Sequence, residues 1–147
     1  MERIVFPQLA EQGELSGFPF EGHFVDAGTP PSYIEAIQTS IENHAWVSGE
    51  SVHGRNWFGD DVDADSTAII FDCAIGMKTK ISASCSLVSS ALLHSVSVGS
   101  GSVINGCMIG YNTQIGRDCK LENVVIDHGS IIADGYEQNG GTYPTAD

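Results

Sequence analysis

Proline is missing from residues 32 to 143, although the 147-residue chain carries five prolines elsewhere. Avoiding the one residue without a backbone N–H over such a length leaves every amide free for a continuous hydrogen-bonded ladder. Positive charge is also scarce: six Lys and Arg stand against nineteen Asp and Glu, a net charge of −13. Phosphate-rich surfaces attract basic proteins, so nucleic acid and membrane are excluded as partners. No apolar run approaches the ~20 residues of a membrane span, and Met1-Glu2-Arg3 does not lead into a signal-peptide core. The location expected is the cytoplasm. Disorder is not expected either, because a hydrophobic share of 41% is ordinary for a globular domain.

What is present is a repeat. Aliphatic residues recur at Ile69, Ile75, Ile81, Leu87, Leu92, Val98, Ile104, Ile109, Ile115, Leu121, Ile126 and Ile132. The steps are five or six, and from Leu87 onward they settle into a 17-residue period of 5+6+6. Two residues before each stands a small or β-branched one: Thr67, Cys73, Thr79, Cys85, Ser90, Val96, Ser102, Cys107, Thr113, Cys119, Val124 and Ser130. Residues two apart in a strand share a face, so both columns point inward, a large residue beside a small one. Glycines follow the aliphatic at Gly76, Gly99, Gly110 and Gly116, and Asn105-Gly106 and His128-Gly129 add turn chemistry. They are expected to supply the backbone angles of sharp corners.

A helical face recurs every three or four residues and cannot use a step of six. Short strands that turn a corner every five or six residues, three to a coil, fit it, as in the hexapeptide repeats of a parallel β-helix. The fold class expected is mainly β: residues 67–135 form about four coils at the ~4.7–4.9 Å strand spacing, with residues 46–66 as a linker and 136–147 as a tail. Trp57 and Phe58 are expected to plug the first end and Tyr136 the last.

The repeat accounts for features that otherwise suggest chemistry. Cys73, Cys85, Cys107 and Cys119 all fall in the small inward column. Those sharing a wall lie two coils apart, roughly 9–10 Å, beyond disulfide reach, so they are read as buried fillers. The run "GDDVDADS" sets Asp61, Asp63 and Asp65 at alternate positions, but Ser66 stands where a calcium loop needs glycine and Asp72 where it needs Glu. It is read as a solvated turn. His94 and His128 are the candidates for a general base if the coil is an acyltransferase; an outer-face or turn position is the simpler reading of both.

The first 45 residues have no such repeat. "MERIVFPQLAEQG" places Ile4, Val5, Phe6 and Leu9 on one side of a short helix ending near Gly13. "FPFEGHFVDAG" is expected to be extended, with a turn at Glu21-Gly22. "PPSYIEAIQTSIEN" has Tyr33, Ile34, Ile37 and Ile41 at helical spacing behind a proline start. This helix–strand–helix unit is too small to bury its own apolar faces and must pack on the β-helix, on a neighbouring chain or on a domain that is absent.

"FPQLAEQGELSGFPFEGHFVDAGTPPSYIEA" resembles the end of the catalytic domain of sugar-1-phosphate nucleotidyltransferases, where glycine and an aromatic lead into Asp-x-Gly-Thr-Pro and a helix with Tyr and Glu-Ala. "CKLENVVIDHGSIIADG", residues 119 to 135, is similar to the β-helix that follows in the mannose- and glucose-1-phosphate branches. The resemblance implies a left-handed coil, preceded by a small α+β remnant of that catalytic domain in residues 1–45. It also implies Mg²⁺-dependent transfer of a nucleoside monophosphate from an NTP to a sugar 1-phosphate, with pyrophosphate released. Asp26 matches the family position whose carboxylate helps bind the metal; a cap for the following turn or helix is the alternative.

The family's glycine-rich phosphate loop, its first metal-binding Asp and its sugar-phosphate lysine have no counterpart here. Arg3 is the one basic residue of positions 1–43. An NTP and a sugar phosphate need donors and positive charge, so the chain alone is expected to be inactive. The partners expected are further copies of itself or a catalytic nucleotidyltransferase domain or chain, with NTP and sugar 1-phosphate bound only alongside the latter. The β-helix would serve oligomer assembly or regulation. A mannose-1-phosphate guanylyltransferase type is expected ahead of a glucose-1-phosphate type. The rivals are a free-standing β-helix interaction module and the hexapeptide-repeat acyltransferase.

Overall fold

A computed structural model describes residues 3–22, 24–43 and 52–144. The second half of the chain winds as a parallel β-helix of about five turns with three flat walls. Wall A stacks Asn56–Phe58, Ala74–Ile75, Ala91–Leu92, Met108–Ile109, Val125–Ile126 and Thr142–Tyr143. Wall B stacks Asp63–Ala64, Lys80–Ile81, Ser97–Val98, Gln114–Ile115 and Ile131–Ile132. Wall C stacks Ile69–Phe71, Ser86–Val88, Val103–Asn105, Lys120–Glu122 and Glu137–Asn139. Each residue pairs with the one 17 positions on, as Leu87 does with Ile104 and Ile104 with Leu121.

Both inward columns are buried from Cys73 to Ile132, and all four cysteines are free and enclosed. Burial in this apolar bore pushes the Cys73 thiol up to about 11 and raises those of Cys85 and Cys107. The polar fillers are satisfied across coils. Thr79 Oγ1 donates to the Leu93 carbonyl at 3.2 Å, and Ser102 Oγ donates to Gly116 at 2.9 Å while accepting from Cys119 N at 3.1 Å. Among the described residues no buried side-chain polar atom lacks a partner, as a dry core requires.

Three details differ from the sequence expectation. The coil is longer at both ends than residues 67–135. Asn56–Phe58 and Asp63–Ala64, placed in the linker, are rungs of the first turn, and Glu137–Asn139 and Thr142–Tyr143, placed in the tail, are the last. The aliphatic rule relaxes at the ends, where Phe58, Tyr136 and Tyr143 pack on the core; beyond the first rung of wall A, Val52–His53 pairs antiparallel with Asn56–Phe58. Tyr136 and Tyr143 close the last end edge to face, 5.3 Å apart. At the first end Phe58 turns inward, whereas Trp57, one residue earlier, faces out of wall A.

Second, Ile69 is 64% exposed and Ile70 takes the inward place, paired with Leu87. The step from Ile70 to Ile75 is five, so the 17-residue period holds from the start of wall C.

Third, the glycines after the aliphatics do not make the corners. The left-handed corner residues are mostly not glycine: Lys78, Ser95 and Asn112 turn one edge, and Asp72, Ser89 and Asn123 another. Gly110 and Gly116 are needed for close approach instead, since a Cβ there would stand 2.5 Å and 2.6 Å from backbone nitrogens of the next coil.

Two helices precede the coil: α1, Val5–Glu11, and α2, Pro30–Glu42. Thr29 caps α2, its side chain accepting from Ser32 N while Ser32 Oγ accepts from Thr29 N at 3.0 Å, and Pro30 opens the helix. The strand expected between the helices is absent among the described residues. A single extended segment has no neighbour to take up its N–H and C=O groups, and without a ladder it remains irregular chain.

Candidate functional site

On wall A the inward Cys73 and Ile75 leave Ala74 pointing out. The matching outward positions are Trp57, Ala91, Met108 and Val125. This gives a charge-free face, flat and shallow over the two alanines. Helix α2 lies on it and buries Ile34 and Ile41. Its first turn (Pro30, Pro31, Ile34) borders the corner residues Gly106 and Asn123, and its last reaches the first turn of the coil. Thirteen residues of helix measure ~20 Å, about four strand spacings, so α2 runs back along most of the stack.

Arg55 fastens the far end. Its guanidinium bonds Glu42, the last residue of α2, at 2.6 Å, bonds Asp72 at a coil corner, and lies 5.6 Å over the Phe71 ring. The Asp72 hydrogen bond, with the two carboxylate charges, raises the Arg55 pKa.

Between helix and wall a cleft of 370 Å³ remains open. Tyr33, Ala36, Ile37, Trp57, Ala74 and Leu93 are among its lining residues, which include no Asp, Glu, Lys or Arg. Ala27 stands at its wall, so the chain entering α2 passes the cleft. That entering chain is apolar and uncovered: Phe18, Phe20 and Phe24 are 90%, 63% and 78% exposed. Phe20 and Phe24 touch only edge to face at 6.5 Å.

Asp26 lies in this segment and is exposed. Its Oδ1 accepts from Gly28 N at 3.1 Å, so it caps the turn into Thr29. Among the described residues no three His, Cys, Asp or Glu side chains stand together as a metal site. Magnesium needs six oxygens in near-octahedral order, usually one or two carboxylates with phosphates and waters. One exposed carboxylate is no complete site, so among the described residues Asp26 would give the ion a single ligand, with the others to come from phosphates, waters or another molecule. The acidic run is exposed but is more than the turn expected: Asp61 sits at a left-handed corner, and Asp63–Ala64 is the first rung of wall B. Only then does Asp65 Oδ1 accept from Thr67 N at 2.8 Å and Thr67 Oγ1 at 2.6 Å, which lowers its pKa.

His94 and His128 occupy matching exposed corner positions two turns apart, with Tyr111 between them and ring centroids 5.5 Å apart on either side. Each imidazole faces a ring rather than a carboxylate that would orient a general base.

The coil is one of the surfaces the sequence allows for the helical unit, but sequence reasoning did not identify the wall on which α2 docks. A signal was present: of the three outward columns, only that of wall A (Trp57, Ala74, Ala91, Met108, Val125) stays apolar over five turns. Wall B carries Asp63 and Lys80, and wall C carries Lys120 paired with Glu137 at 2.7 Å.

Among the described residues no helix is long and apolar enough to cross a membrane. Residues 52–139 match a family model described as the GMPPB C-terminal domain. No curated protein matches the chain.

Proposed function

Because the chain belongs to the GMPPB C-terminal domain family, a C-terminal region of sugar-1-phosphate nucleotidyltransferases, we propose that it is the assembly part of such an enzyme and is inactive alone. The reaction served is transfer of a nucleoside monophosphate from an NTP to a sugar 1-phosphate, of the mannose-1-phosphate guanylyltransferase type, in the cytoplasm. The observation that carries this reading is the family match over the coil, joined to a helical unit whose apolar surface the coil covers only in part.

The chemistry needs groups that stabilise charge growing on the transferring phosphate. Arg55, Arg117 and Lys120, half of the six basic residues, are engaged with Asp72, Asp134 and Glu137 on the coil. The substrates therefore bind on a catalytic partner, and the coil contributes rigid walls for assembly. Within such a complex Asp26 supplies one carboxylate toward Mg²⁺, the remaining ligands coming from the partner and the phosphates.

The test measures pyrophosphate release with Mg²⁺, NTP and sugar 1-phosphate, for this chain alone and with a catalytic nucleotidyltransferase portion added in trans. No release alone and a several-fold rise over the catalytic portion by itself support the reading. Release by the chain alone, or no effect of adding it, contradicts it. Asp26→Asn is expected to abolish the rise while leaving complex formation intact.

A further inference from the structure

Glu42 stands at the wrong end of its own helix. It is the last residue of α2, where the carbonyl end carries partial negative charge, and no basic residue lies in that last turn to offset it. For the helix alone a carboxylate there is unfavourable. It meets Arg55 of the coil at 2.6 Å instead, and among the described residues this is the one ion pair that joins α2 to the coil. We propose that Arg55 is a latch: through Glu42 it holds α2 down on wall A, and its opening lifts the helix and bares the apolar face beneath. The latch concerns two parts of this chain and holds or fails independently of the nucleotidyltransferase reading.

The two carboxylates on Arg55 have different parts. The Asp72 side chain is only 13% exposed, and together with the Phe71 ring it holds the guanidinium on the coil. A planar fork that serves two carboxylates and also stacks on a ring is what arginine offers and lysine does not. The base is firm as well. Arg55 lies in the two-residue turn between Val52–His53 and Asn56–Phe58. Asn56 ties that hairpin to the next rung, its side chain donating to the Ile70 carbonyl and accepting from Cys73 N, both at 3.0 Å. Glu42 is the detachable partner: it and Arg55 are each 48% exposed, so water and salt reach this side of the pair.

The rest of the docking is light enough for one ion pair to matter. Helix α2 buries only Ile34 and Ile41, and the 370 Å³ cleft separates its middle from the wall. A helix of 13 residues is marginal by itself in water, so α2 persists as far as it stays docked. Trp57 faces out of wall A beneath the helix and lines the cleft, which makes it a reporter of lifting.

Hydrogen exchange of α2 in the full chain tests this with E42Q, because a helix with a latch and one without respond in opposite directions. Without a latch, removing the carboxylate relieves the helix end and exchange in α2 slows. With it, E42Q is expected to speed α2 exchange by about 3-fold, while coil amides such as those of Ala91 and Met108 keep their native rates. Raising NaCl from about 0.02 to 1 M is expected to speed α2 exchange in the native chain and to leave E42Q unchanged. Trp57 emission, in a Trp46→Phe background that leaves one tryptophan, is expected to move to the red in E42Q. Slower or unchanged α2 exchange in E42Q overturns the proposal, and so does an equal salt response in both proteins. Faster exchange without the Trp57 shift marks fraying of the last turn alone, which also overturns it.

Discussion

The coil from Asn56 to Tyr143 and the chain before Thr29 are both rich in apolar residues, yet one buries them and the other does not. Leu87, Ile104 and Leu121 are shut in a bore where each of their three rungs has a neighbour above and below. Ile4, Phe6, Phe18 and Phe24 are open to solvent, and α1 buries none of its residues. Hydrophobic content alone does not make a core. A 17-residue repeat makes each segment's partner a copy of itself, whereas a single non-repeating segment must find its partner elsewhere, as α2 does on wall A and residues 15–24 do not within one chain.

The largest expected break in this contrast is Ile104→Ala, which opens a cavity in the closed bore and costs about 2–5 kcal/mol. Ile4→Ala is expected to stay within about 0.5 kcal/mol. Equal losses for the two in denaturant titration would erase the distinction.

Next in size is an alkaline effect specific to the bore. Burial favours the neutral Cys73 thiol and raises its pKa from 9.0 to about 11. The unfolded chain then loses its proton first. The contribution is whole below about pH 9, fades as pH rises through 11, and amounts to roughly 2–3 kcal/mol at one unit per 1.36 kcal/mol. Cys73→Ala should flatten the fall in melting temperature between pH 9 and 11; an identical fall in both proteins would contradict a dry bore.

Glycines sharpen the comparison further. Gly110→Ala drives a Cβ to 2.5 Å from His128 N and is expected to cost about 1–3 kcal/mol. Gly13→Ala, just past the end of α1, meets nothing within 4 Å and carries only the strain of φ +68, about 1–2 kcal/mol without affecting the coil. Local hydrogen exchange separates the two.

The smallest effect is at low pH. The Asp134 carboxylate accepts from Arg117 N at 2.7 Å and sits beside its guanidinium, which lowers its pKa. Its contribution is present above the ordinary carboxylate range and is lost as pH falls through the lowered value. Asp134→Asn should therefore lower the melting temperature slightly at pH 7 and not at pH 2.

The repeat made the middle coils legible because alternation and spacing are local properties of the chain. It also placed the cysteines correctly, since a small inward column leaves them no other role. The ends were legible only as the plugs Phe58 and Tyr136; Phe58, Gln138 and Tyr143 stand where the middle coils carry aliphatics, so the repeat stops before the coil does. Gly110 and Gly116 misled because glycine serves both positive φ and close approach, and spacing does not distinguish them. Helix α2 was legible from Thr29, Pro30 and its isoleucines, but its docking depends on outward alanines 17 residues apart. Asp26 was legible as a carboxylate in a glycine-rich turn, and of the two roles the sequence allows it the structure shows the cap on Gly28.

Hydrogen–deuterium exchange of the native chain, read residue by residue, tests the coil most directly. Amides that donate to the next coil, such as those of Ala91, Met108 and Val125 on wall A and Ser86 and Val103 on wall C, should be slow together, in a pattern returning every 17 residues. Those of residues 15–18 and 20–22, which donate to no backbone carbonyl, should exchange within seconds. Uniform protection across both regions, or slow amides grouped every three to four residues between 56 and 143, would contradict the parallel coil.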